Sequence, residues 1–190
     1  GAHRDLHSFP TRRSSDLFSP HDPLIFDLNG DGVQTIALDA SRAFFDIDGD
    51  GFAERTEWAS GGDGMLAIDA NENGLIDDIS ELFGDDAAAS GIAKLISYDL
   101  NGDNVIDAND AVFSQLKIWQ DENENGITDD GELAALTDWN IASISLSATD
   151  GQISFTYADG TQCVAEDRAK RLGREALIRH IYGRSTRCAA

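Results

Sequence analysis

One motif recurs five times in this chain and restricts what it can fold into. Asp is followed by Asn or Asp two and four residues later, usually with Gly next. The five loops begin at Asp27 (DLNGDG), Asp46 (DIDGDG), Asp69 (DANENG), Asp99 (DLNGDN) and Asp121 (DENENG). Oxygens on alternate residues converge on one point only where the chain coils tightly around it. Gly at the sixth position admits the positive φ of that turn. A hard cation with six to eight oxygen ligands is the natural occupant. Calcium fits better than magnesium, which prefers rigid octahedral sites and keeps its waters.

The second half of each loop differs. Loop two, DIDGDGFAERTE, offers Asp46, Asp48, Asp50, the carbonyl of Phe52 and Glu57 at position twelve, the full EF-hand pattern. Loop five, DENENGITDDGE, matches equally with Asp121, Asn123, Asn125, the carbonyl of Ile127, Asp129 and Glu132. Loop four supplies Asp99, Asn101, Asp103 and the carbonyl of Val105, then ends in Asp110, which reaches less far than Glu. Its turn residue is Asn104, a residue that tolerates the left-handed conformation. Loop three has Asp69, Asn71, Asn73 and Asp77, with Ser80 at position twelve and Glu81 one residue late. Loop one has Asp27, Asn29 and Asp31 but Leu38 at position twelve, so it needs another ligand or holds a weaker ion. About four to five calcium sites are expected.

Charge points the same way. The chain has 190 residues, 35 acidic and 14 basic, for a net charge of −21. Residues 21–162 hold 30 of the acids and four of the bases, a net of −26. Such a segment resists compaction unless something neutralises it. Filling five sites adds ten positive charges, so the metal-free chain is expected to be largely unfolded or molten. A nucleic-acid partner is excluded, because a polyanion would be repelled. No run approaches the ~20 apolar residues of a membrane span, and no signal peptide opens the chain. Cys163 and Cys188 make neither a disulfide framework nor a zinc spacing.

The two ends look foreign to the acidic body. His7 to Leu17, HSFPTRRSSDL, reads as a translated sequencing adapter, so residues 1–20 are taken as a non-native, disordered leader. Residues 163–190 turn basic, which fits a helix folding back on the acidic body or a frameshift.

The calcium-binding body is therefore placed at 21–162, as an α+β domain stapled by several calcium ions. PLIFDL and VQTIAL bracket loop one as a hairpin, and AFFDI and MLAID lead into loops two and three as strands, giving a β-rich part over 21–84. Ile92, Leu95 and Ile96 precede loop four. Val112, Phe113, Leu116 and Trp119 join loops four and five at i, i+3, i+4 spacing, and Leu133, Leu136 and Trp139 follow loop five. The spacing predicts a compact EF-hand-like helix-loop-helix pair over 85–139, then closing strands over 140–162. Trp58, Trp119 and Trp139 are read as core.

One peptide bond carries intrinsic chemistry: Asp22–Pro23, four residues before loop one. The Asp22 carboxyl can attack its own backbone carbonyl through a five-membered ring, expelling the proline nitrogen and leaving an anhydride. His21 is a candidate proton donor to that nitrogen. The plain alternative is a strand-entry turn.

HDPLIFDLNGDGVQTI, AIDANENGLIDDISELFGD and YDLNGDNVIDANDAVFSQLKIWQDENENGITDDGEL together resemble the self-processing module of FrpA/FrpC-type RTX secreted proteins. The similarity runs from about Asp22 to Leu146. It implies calcium binding, single-turnover self-cleavage at Asp22–Pro23, and capture of the anhydride by a lysine amine of another chain as an isopeptide. It also implies Asp27, Asn29 and Asp31 as the adjacent calcium site, and a bacterial protein exported by a type I route. The nonapeptide repeats of that family, G-G-x-G-x-D, are absent, so a fragment of a longer protein is expected. Lys94 and Lys117 are the only lysines in the acidic body. The alternative function is a non-catalytic, calcium-dependent structural or adhesion module, EF-hand- or dockerin-like. A calcium sensor is disfavoured, since such proteins expose Met-rich grooves and this chain has one methionine, Met65.

Overall fold

Consecutive apolar residues in a strand are buried together only when both faces of the sheet are covered. Leu24, Ile25 and Phe26 are each at most 2% exposed. Leu24 and Phe26 belong to one apolar cluster and Ile25 to another, so the strand they form is sandwiched between two cores. The computed structural model describes residues 23–84 and 90–167. Its elements are β1 (Leu24–Phe26), β2 (Thr35–Ile36), β3 (Phe44–Phe45), β4 (Glu54–Arg55), β5 (Trp58–Ala59), β6 (Gly64–Ile68), α1 (Gly91–Ile96), β7 (Val105–Asp107), β8 (Leu116–Trp119), β9 (Leu133–Ala135), β10 (Ile141–Ser145), β11 (Gln152–Tyr157) and β12 (Gln162–Asp167).

Eight strands form one sheet in the order β7-β10-β11-β12-β1-β6-β8-β9, and every pairing is antiparallel. On one face Leu24, Phe26, Leu66, Ile118, Ile144 and Phe155 make the larger core, beneath Ile92 and Leu95 of α1. On the other, Ile25, Met65 and Trp119 pack with Phe45 and Trp58. The rings of Phe45, Trp58 and Trp119 lie 5.3–5.7 Å apart. Trp58 and Trp119 are thus buried, and Trp139 packs against the larger core.

This architecture corrects the α+β expectation. Among the described residues there is one short helix, α1, and no helix-loop-helix pair. The segment expected to be a helix between loops four and five makes a single 3-10 turn over Ala111–Ser114 and then strand β8. Leu116 and Ile118 face the larger core while Trp119 faces the other. Burial on both faces produces an apolar spacing that a short stretch shares with a helix. Pairing with β6 and β9 then satisfies its backbone, and β-branched and aromatic residues suit a strand. Leu133, expected on a following helix, lies in β9.

The expected hairpin around loop one is also absent. β1 pairs with β12 and β6, whereas β2 pairs with β5. The last strand runs through Asp167, with Leu24 opposite Asp167 and Phe155 opposite Cys163. The leader 1–20, His21, Asp22 and the tail beyond Asp167 lie outside the described residues.

α1 is held tightly. Ser90 caps it through Ala93 N, and Lys94 Nζ donates to the carbonyls of Ser80 and Leu82 at 2.7 and 2.8 Å. A Cβ on Gly91 would fall 2.0 Å from the Phe83 carbonyl oxygen, which itself accepts from Leu24 N. Gly91→Ala is therefore expected to cost about 3 kcal/mol, the upper range for overpacking, because backbone must move. Urea melts of the calcium-saturated protein check this. A loss under about 1 kcal/mol would mean α1 slides freely.

Candidate metal centres

All five loops share one local construction. The sixth residue has positive φ in each case: Gly32, Gly51, Gly74, Asn104 and Gly126. Its amide turns back onto the first carboxylate. Gly32, Gly51, Gly74, Asn104 and Gly126 N donate to Asp27, Asp46, Asp69, Asp99 and Asp121 Oδ2 at 2.7–3.1 Å. In loops one to four the fifth amide also donates to the third side chain, Asp31 N to Asn29 Oδ1, Asp50 N to Asp48 Oδ1, Asn73 N to Asn71 Oδ1 and Asp103 N to Asn101 Oδ1, whereas in loop five Asn125 N donates to Asp121 Oδ1. These bonds draw the side chains of positions one, three and five to one side. Phe52, Val105 and Ile127 each follow as the seventh residue, with their amides on the fifth side chain.

The closing acid differs between loops. In loop five, Glu132 accepts from Glu122 N and Asp129 N, spanning the loop. Glu81 does the same in loop three, accepting from Ala70, Asn71 and Asp77 N although it sits one residue late. A 3-10 turn over Ile79–Glu81 brings it round in place of Ser80. Asp77 and Asp129, at position nine, gather the side-chain amides of Asn71 and Asn73, and of Asn123 and Asn125. Asp110 in loop four reaches only Asp107 N, at 3.2 Å, and its buried Oδ1 has no hydrogen-bond partner.

In loop two the carboxylates drawn together are Asp46, Asp48 and Glu54, with an oxygen of each within 4.8 Å of the others. Glu57 is exposed and stands outside this group. Residues Glu54–Arg55 form strand β4 against β3, so the chain leaves the loop extended and carries position twelve away.

Loop one recruits a residue from another part of the chain. Oxygens of Asp27, Asp31 and Asp63 lie within 4.8 Å of one another, and Asp27 and Asp63 are buried. Leu38, at position twelve, is 49% exposed. Asp63 belongs to the turn GGDG at residues 61–64, outside all five acidic loops. Burial pushes its carboxyl up to about 6, opposed by the Gln34 N–H bond and reinforced by the charges of Asp27, Asp31 and Glu166. Each pair of like charges at this separation repels by about 3 kcal/mol at an effective dielectric of ~20. A divalent cation would offset that repulsion, and the group fits a hard, oxygen-ligated ion.

A family model described as "SPM domain" matches residues 24–171. The chain belongs to the SPM domain family. Iron-regulated protein FrpA of Neisseria meningitidis serogroup C is 39% identical over 169 residues, covering 78% of this chain and 15% of that protein. The chain therefore spans a small part of the length of the relative it matches.

Within this SPM domain the loops touch one another, though not as the expected pair. Loops three and five meet at position eight, where Ile76 N donates to Thr128 Oγ1 at 3.0 Å. Loop two joins them through Ile79 N to Asp46 O and Phe44 N to Asn125 O. Position eight of loop four, Ile106, instead pairs with Ile144 of β10. Trp58 Nε1 donates to Asp121 Oδ2 at 2.7 Å, so the smaller core is bonded directly to a loop-five side chain.

The Asp22–Pro23 bond falls at the border of the described residues. Pro23 is half-buried at the start of β1, whose other end carries Asp27. Lys94 is engaged at α1, and Lys117 lies within β8, half-buried. No helix among the described residues is long and apolar enough to cross a membrane.

Proposed function

We propose that this SPM domain is a calcium-folded module of a secreted bacterial protein, and that folding triggers cleavage of its own Asp22–Pro23 bond. The observation that carries the reading is a buried Asp27 at the end of β1, four residues after Pro23, shared with a three-carboxylate cluster. A short strand links the susceptible bond to a group of acids that needs a cation. The likeness to FrpA supports the part of this reading that places the domain in a secreted bacterial protein.

In the reaction, a carboxylate oxygen of Asp22 bonds to its own backbone carbonyl carbon. The bond to Pro23 breaks, and the proline nitrogen takes a proton and leaves as a secondary amine. The cyclic anhydride then yields to water, or to a lysine amine of another chain with formation of an isopeptide. Calcium supplies the neutralising charge that lets the acidic body close. The chain's own part is to hold Pro23 at the mouth of β1, where β6 and β12 flank the strand. Proline fits there because it has no N–H to leave unpaired.

Intact-mass measurement with excess calcium or with EDTA tests the reading. The expected result is a calcium-dependent fragment starting at Pro23 with a 22-residue partner. Unchanged mass in a chain that calcium has folded would sink the cleavage and leave a structural module.

A further inference from the structure

We propose that Asp63 is a ligand of the loop-one cation, together with Asp27 and Asp31, and that loop five holds the turn that delivers it. The inference rests on the calcium reading above and adds a ligand and an order of filling. Asp63 lies 36 positions beyond Asp27 and is 2% exposed. Its Oδ2 accepts from Gln34 N at 2.6 Å, while Oδ1 is buried without a hydrogen-bond partner. A buried carboxylate oxygen with nothing to bind is costly unless a cation or proton meets it. Two other carboxylates lie around it, and one divalent cation can bridge all three where a proton neutralises only one.

The comparison with the other loops is specific. Glu81 and Glu132 each bond the position-nine amide of their own loop. Asp63 bonds Gln34, position eight of loop one, from outside the loop. It therefore takes the part that Leu38 cannot play, and the site accepts a divalent, oxygen-seeking ion.

The turn that carries Asp63 is wedged between two loops. Gly61 N donates to Glu124 Oε1 at 3.1 Å, and Gln120 Nε2 donates to Gly61 O at 3.0 Å. A Cβ on Gly61 would stand 2.7 Å from Glu122 O, and one on Gly62 would stand 2.6 Å from Asn29 Nδ2. Ser60 N meets Gln34 O and Asp63 N meets Ser60 O, which locks the turn to loop one. When loop five closes on its ion, Gln120, Glu122 and Glu124 become fixed, and Asp63 is fixed with them. Loop one then binds a site already assembled, which is positive coupling between the two.

Calcium titration followed by amide NMR tests this, because Gly32 and Gly126 report loops one and five through their bonds to Asp27 and Asp121. Asp63→Asn is expected to raise the Gly32 midpoint at least about tenfold and leave the Gly126 midpoint within about twofold. Glu132→Gln, acting at loop five, is expected to raise the Gly32 midpoint by at least about fivefold, the lower end of ordinary allosteric coupling. The double variant Gln120→Ala, Glu124→Ala touches no proposed ligand. It should raise the Gly32 midpoint alone and remove the further effect of Glu132→Gln. An unchanged Gly32 midpoint in Asp63→Asn overturns the ligand. An unchanged midpoint in both the double variant and Glu132→Gln overturns the coupling. If neither glycine responds to calcium in the unaltered chain, the calcium reading itself fails.

Discussion

Removing divalent cations is expected to abolish the near-ultraviolet circular dichroism of this domain and leave a molten or unfolded chain. The acidic body carries a net charge of −26, and its carboxylates are brought together rather than spread apart. The smaller core has little to close it besides the loops. Phe45 precedes loop two, Ile76 and Ile79 sit within loop three, and Trp119 enters loop five. A ligand present at a hundredfold over its dissociation constant stabilises the folded state by about 2.7 kcal/mol per site. Two or three such sites match the whole stability of an ordinary domain, about 5–15 kcal/mol. Metal binding and folding are then thermodynamically linked. Spectra recorded in EDTA and in millimolar calcium decide the matter, and identical near-ultraviolet bands would show that the sheet folds unaided.

Asp121→Ala is expected to be the most damaging single change in any loop. Asp121 is 3% exposed, and its carboxylate accepts from Trp58 Nε1, Asn125 N and Gly126 N. Truncation strands these donors, at about 1–3 kcal/mol for each buried one, and removes a proposed ion ligand. A loss of about 4 kcal/mol or more is expected in calcium-saturated urea melts. Asp99→Ala is the control. Asp99 accepts only from amides at the exposed surface, Gly102 and Asn104, so its loss should stay near 1–2 kcal/mol. Equal losses for the two would mean that the Trp58 bond does not tie core to loop.

The loop constructions were legible in the amino-acid sequence because each is built within six residues. The bond from Gly126 N to Asp121 Oδ2 needs only a positive φ at one position and a carboxylate five residues earlier. The large aromatic residues Trp58 and Trp119 were likewise legible as core, since no exposed site would repay their area. The charge excess, similarly, needs no geometry to be read.

Leu116–Trp119 shows where such reading stops. Its apolar spacing suits a helix or a strand buried on two faces, and only β6 and β9 on either side select the strand. The same holds for the closing acids. Glu54 rather than Glu57 joins Asp46 because β4 leaves loop two extended, and Glu81 closes loop three because it ends a 3-10 turn over Ile79–Glu81. Asp63 is the furthest case, brought to loop one by contacts with Gln34, Glu124 and Gln120. Local spacing settles which residues can turn around an ion, because those contacts are short in sequence. Which acids complete each ring, and which loops lean on one another, depends on strand pairing between distant segments, a long-range free energy that no window of the chain contains.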